Sequence, residues 1–86
     1  MIGIIEKVEP MRSFPTENGN ATSQTFVVRD MDGTHRSTDR FAVDSYTGQD
    51  IQQYVGHRVM FNLHGRVSER DGRNYNNLYT REIVIF

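Results

Sequence analysis

Residues 56–86 read GHRVMFNLHGRVSERDGRNYNNLYTREIVIF, and this run decides the fold. Along its first arm Val59, Phe61, Leu63, Gly65 and Val67 share one parity. Met60, Asn62, His64, Arg66 and Ser68 share the other. A period of two belongs to a strand with one face on a core and one in water, so the first set is expected inside. Asp71-Gly72 then supplies positive φ at little cost, the mark of a tight hairpin turn. The return arm changes phase: Leu78 has one parity, Ile83 and Ile85 the other, which predicts a bulge within 80–82. The whole reads as a long hairpin, with Arg66, Arg70, Arg73, Tyr75 and Tyr79 gathered around its tip.

The segment before it, 46–56 (YTGQDIQQYVG), carries the one helical pattern in the chain. Thr47 suits an N-cap, Asp50 the first turn, and Tyr46 with Ile51 a hydrophobic staple. Ile51, Tyr54 and Val55 form one apolar face, and Gly56 suits the position that closes a helix. A helix of two turns must pack on something larger.

Upstream, 1–8 begins with β-branched apolar residues and reads as a first strand, with an edge open to pairing between copies. Residues 13–23 (SFPTENGNATS) are rich in turn formers and read as a loop. Phe14 is its one large apolar residue, expected to cover the core edge, with an exposed stacking ring as the alternative. Residues 24–30 form a second strand, Phe26 and Val28 inward. Asp32-Gly33 predicts a turn, and 34–43 a third strand with Phe41 and Val43 inward and Arg36 and Arg40 on the opposite face. Asp39 then falls at an inward parity, which calls for a bulge or a strand end beyond the core. The order β-β-β-α-β-β, with the helix between strands three and four, is the layout of an all-β, five-stranded OB-fold barrel.

Eighty-six residues allow one domain with a thin stability margin. The absence of cysteine excludes disulfides, cysteine-ligated metal and thiol catalysis, and favours a reducing, cytoplasmic setting. No apolar run reaches membrane-spanning length. The net charge is −1, yet residues 56–86 hold five arginines against three acids, and nine of the ten basic residues in the chain are Arg. Arginine makes bidentate phosphate contacts and stacks on rings. His35, His57 and His64 have no metal-ligand spacing, and Asp32 with His35 makes half a site at best. No nucleophile elbow or phosphate-cradling loop occurs. No enzyme activity, metal or cofactor is expected.

Gly56-His57-Arg58-Val59 through His64-Gly65-Arg66-Val67, with Arg70 and Gly72, resembles the fourth-strand region of bacterial single-stranded DNA-binding proteins. Tyr79-Thr80-Arg81-Glu82-Ile83-Val84 is similar to their closing strand, and Arg40-Phe41-Ala42-Val43 to their segment before the helix. Residues 68–75 also resemble the Gly-Arg turn of a group of short OB-fold proteins. The resemblance covers most of 34–86. It implies an OB-fold, single-stranded DNA as ligand and a tetramer, although the chain lacks the tryptophan through which that family largely stacks bases.

The expected function is therefore binding of single-stranded DNA, with RNA as the alternative and little sequence preference. Arg36, Arg40, Arg66, Arg70 and Arg73 would hold phosphates, and Tyr75 and Tyr79 would stack on bases. A homodimer or higher oligomer would lengthen the groove. The rival expectations are a solvated hairpin with Arg70 paired to Glu69 or Asp71, and an OB-fold protein–protein module.

Overall fold

The structure, a computed structural model, describes residues 1–31 and 39–86. Eight strands form one sheet: β1 (Ile2–Val8), β2 (Arg12–Thr16), β3 (Gly19–Asp30), β4 (Arg40–Ser45), β5 (Arg58–Phe61), β6 (His64–Arg70), β7 (Arg73–Thr80) and β8 (Ile83–Ile85). Their order is β6-β7-β4-β3-β1-β5-β8, with β2 paired to β3. The chain is thus all-β, but the hydrogen-bonded sheet is not closed and the expected five strands are eight. Among the described residues no helix is long and apolar enough to cross a membrane.

The extra strands come from two sources. Each arm of the 56–86 hairpin breaks once, at 62–63 and at 81–82. The inner halves, β5 and β8, pair with each other, and β5 also pairs with β1. The outer halves, β6 and β7, pair with each other, and β7 runs parallel to β4. One hairpin therefore supplies both ends of the sheet, and its second break falls where the parity change requires it. The other source is 13–23, expected as a loop. Arg12–Thr16 and the start of β3 form a two-residue hairpin, Thr16 opposite Gly19. Gly19 has φ 117°, a conformation glycine adopts freely.

Ile5, Phe26, Val28, Val43, Ile51, Val59 and Phe61 form the buried core. Phe26 meets Phe61 edge to face at 5.5 Å. The expected inward residues Phe26, Val28, Val43, Val59 and Phe61 are all there, and Phe41 packs partly buried against them. Leu63, Gly65 and Val67 are not: all three are exposed, because the ribbon of β6 and β7 leaves the body after the 62–63 break. The molecule is correspondingly long and flat, 41 × 34 × 18 Å, with a radius of gyration of 13.8 Å against about 12 Å for a compact chain of this length.

Strand β1 lies inside the sheet, between β3 and β5, so the expected pairing edge at 1–8 is already occupied on both sides. Gly3 explains how tightly. A Cβ there would stand 2.4 Å from Val28 Cγ2 and 2.6 Å from the Arg29 carbonyl oxygen. Val28 is fully buried, and the carbonyl belongs to the neighbouring strand, so neither can move aside cheaply. Gly3→Ala is expected to destabilise the fold by about 1–3 kcal/mol, read as a lower urea midpoint with unchanged slope.

The helix expected over 46–56 is not formed; a single 3-10 turn spans Gln52–Tyr54. Side chains compete for the backbone here. The Gln49 N–H donates to Thr47 Oγ1 at 3.2 Å, and the Gln52 N–H to Asp50 Oδ1 at 3.0 Å. Such local bonds offer an alternative to helix, and Gly48 at φ 82° breaks the run. The staple also fails: Ile51 is buried, but Tyr46 is 44% exposed. Ile51 is held instead by Gln24, a fully buried side chain. Gln24 Oε1 accepts the Ile51 N–H at 2.9 Å, while Nε2 donates to the Glu9 carbonyl at 3.0 Å and to Asp50 at 2.9 Å.

Candidate nucleic-acid interface

The ribbon turns at Asp71 and Gly72, whose φ values are 54° and 75°. Two positive values give the primed turn whose twist suits a two-residue hairpin. Its register sets the chemistry. Across the ladder His64 faces Tyr79, Arg66 faces Asn77, Ser68 faces Tyr75 and Arg70 faces Arg73. Cross-strand partners in an antiparallel pair share a face. One side of the ribbon therefore carries three arginines, two tyrosines and a histidine, and no carboxylate. Glu69 lies on the other side with Gly65, Val67, Asn74, Asn76 and Leu78. Asn77 Nδ2 donates to Ser68 Oγ at 3.0 Å and ties the strands in the middle of the face.

Five of the seven residues expected to bind are thus brought together: Arg66, Arg70, Arg73, Tyr75 and Tyr79. Among the described residues no ion pair engages these arginines, so the expected alternative of Arg70 paired to Glu69 or Asp71 is not formed. Arg70 and Arg73 stand directly opposite each other, an arrangement that costs stability. Tyr75 is 46% exposed and, among the described residues, makes no ring contact.

Tyr79 is placed differently from the free stacking ring expected. His64 stacks on it at 5.2 Å and 22°. The Arg66 and Arg81 guanidinium carbons lie 5.4 and 5.6 Å from its centroid, and Tyr46 meets it edge-on at 6.1 Å. Tyr79 is the hub that orders two cations at the root of the ribbon. Around it opens a groove of about 470 Å³, lined by Phe14, Asp44, Tyr46, Arg66, Tyr79 and Arg81 among others. Phe14, expected at the core edge, is instead 38% exposed on the groove wall.

Arg40 stands apart. It begins β4, four residues from Asp44, or about 13 Å along the strand. Glu6 is skipped in the β1–β3 register, where Ile5 pairs with Val28 and Lys7 with Val27. A bulge re-aims its side chain, and its carboxylate takes Arg40 Nε at 2.7 Å and Nη2 at 2.8 Å. The Arg40 hydrogen bond holds the Glu6 carboxyl below its usual range, and Glu6 raises Arg40 in turn. Arg36 lies outside the described residues, as do Asp32, Gly33, His35 and the first half of the expected third strand.

Four site residues escaped the sequence reading. Tyr46 was absorbed by the helix pattern. His64 has no metal-ligand spacing, and its parity with Arg66 is the signal that places it on this face. Arg81 lies in the break between β7 and β8, so parity does not assign it. Asp44 carried no signal beyond its place near the end of a strand. Comparison of the chain with protein-family models, curated proteins and solved structures found no match.

Proposed function

We propose that this chain is an OB-fold module that binds single-stranded nucleic acid, DNA first, along the ribbon of β6 and β7. The observation that carries the reading is the ladder register, which collects Arg66, Arg70, Arg73, Tyr75, Tyr79 and His64 on one face without an acid. Opposed Arg70 and Arg73 cost stability in the free protein, and a phosphate between them removes that cost. The exposed Tyr75 ring suits a base, since every base has a π-face. The OB-fold reading is supported by the pairings: β1 with β3, β3 with β4, β4 parallel to β7, and β5 with β1. With β5–β6 and β7–β8 each counted as one broken strand, these are the neighbours of a partly open five-stranded Greek-key barrel. A cysteine-free chain fits a cytoplasmic setting.

A dT oligomer of about a dozen nucleotides, followed by fluorescence anisotropy, tests this. Binding by the native chain is expected to fall with salt, with a log–log slope of about −0.7 per phosphate neutralised. Tyr75→Ala is expected to cost about 1–3 kcal/mol of affinity and to leave thermal stability unchanged, since the ring is 46% exposed and packs on no other ring among the described residues. Equal binding by both proteins removes Tyr75 from the site.

A second reading, a protein-binding module, is favoured by one observation. Ile2, Met60 and Val84 are cross-strand neighbours on β1, β5 and β8 and are 39%, 42% and 50% exposed. This apolar stripe reaches the unpaired edge of β8, where an edge strand invites pairing. In the first reading the same stripe is the surface for self-association into a dimer or higher oligomer.

A further inference from the structure

We propose that the groove at the root of the ribbon is a base-reading subsite, in which the Asp44 carboxylate selects guanine; the inference rests on the single-strand reading above. Every other charged wall of the groove is cationic, so a groove built for phosphate alone gains nothing from an acid there. Asp44 is nevertheless half-buried and fixed. Its Oδ1 accepts the Thr25 hydroxyl at 2.6 Å, and Thr25 is its partner across β3 and β4. Arg12 Nη2 reaches Thr25 Oγ1 at 3.5 Å. Among the described residues neither Arg12, Arg66 nor Arg81 forms an ion pair with Asp44. Among the described residues no donor reaches Oδ2, and Oδ1 keeps a lone pair beside the Thr25 bond.

An ionised carboxylate is acceptor-only, so it discriminates among bases by their donor edges. Guanine offers two adjacent donors, N1–H and the N2 amino group, which match the two oxygens. Thymine offers one N–H between two carbonyls, and those carbonyls would face the negative charge. Cytosine and adenine each offer an amino donor beside a ring-nitrogen acceptor. The groove has the dimensions to hold the base: 470 Å³ lies within the range of about 300–1,000 Å³ typical of ligand sites. Phe14 and Tyr46, 38% and 44% exposed, give it aromatic walls. Arg66 and Arg81 line the same groove and offer cations to the phosphates that flank a bound base.

The test is anisotropy with fluorescein-labelled oligomers of about a dozen nucleotides: all dT, dT with one central dG, and dT with one central deoxyinosine, which lacks the N2 amino group. The native chain is expected to bind the dG oligomer about tenfold tighter than dT, within the discrimination a good bidentate contact gives. Deoxyinosine should forfeit most of that gain. Asp44→Asn, whose amide presents a donor, should bring the dG:dT ratio to about one. Equal affinity of the native chain for dG and dT overturns the guanine subsite and leaves the ribbon reading standing. So does undiminished binding of the deoxyinosine oligomer, a comparison that needs no variant to fold. Failure to bind any of the three oligomers overturns both.

Discussion

Replacing Arg66, Arg70 and Arg73 together with alanine is expected to weaken dT binding on the order of 100-fold at moderate salt. An exposed cation–phosphate contact contributes roughly 1 kcal/mol, and three such contacts sum to roughly two decades of affinity. The salt slope should fall by about two, since three phosphates at about 0.7 each are no longer neutralised. This second readout separates lost charge from lost shape. Stability should change by less than about 1 kcal/mol, because none of the three side chains is buried and relief of the Arg70–Arg73 opposition offsets the lost contact of Arg66 with the Tyr79 ring. Arg58→Ala, on β5 within the body of the sheet, is the matched control and should change little. A triple variant that binds as the native chain does would remove the ribbon from the site.

Gln24→Leu is expected to destabilise the fold by about 2–4 kcal/mol, with a fall in Tm on the order of 10–30 °C. The volume is nearly kept; what is lost is three hydrogen bonds, and the Ile51 N–H remains buried without an acceptor. For 86 residues total stability is about 4–13 kcal/mol, so this single amide holds a large share of it. Gln24 joins β3 to the segment between β4 and β5 and carries Ile51 into the core, doing in one side chain what a plugging helix was expected to do. The same contact makes stability depend on acid. The hydrogen bond from Gln24, followed by that from the Gln52 N–H, holds the Asp50 carboxyl below its ordinary value of 3.8. A depressed carboxyl contributes stability that is complete above the unfolded-state pKa and lost as pH falls through the folded-state one. Asp50→Asn should flatten that acid limb, and Gln24→Leu should flatten it too. A Gln24→Leu protein that melts with the native chain would show that Ile51 is seated by packing alone.

Much of the hairpin was legible because strand periodicity and turn chemistry act locally. Asp71-Gly72 announced the turn, and the opposed parities of Leu78 and Ile83 announced the break at 81–82. Phe26, Val28, Val59 and Phe61 were readable as core for the same reason. Parity says which residues share a face; it does not say whether anything packs on that face. Val67 fits the inward set and is 64% exposed, because β6 has already left the body. The β2–β3 hairpin was hidden for the converse reason. Ser13, Thr16, Asn20 and Thr22 alternate nothing apolar, yet backbone pairing needs only their N–H and C=O groups. Gln24 was illegible as a core residue because its partners, Glu9, Asp50 and Ile51, come together only through the fold. The site divided along the same line. The arginines and tyrosines of the ribbon were readable from one stretch, whereas Phe14 on β2, Asp44 on β4 and Tyr46 just after it reach the groove only once the fold brings them beside the ribbon.

The most direct measurement is an NMR titration of the 15N-labelled chain with a dT oligomer. If the acid-free face of the ribbon is where a single strand lies, shifts will concentrate at His64, Arg66, Ser68, Arg70, Arg73, Tyr75, Asn77 and Tyr79, with Arg81 and Tyr46 at the root. Shifts concentrated on Ile2, Met60 and Val84, or none anywhere, would contradict it.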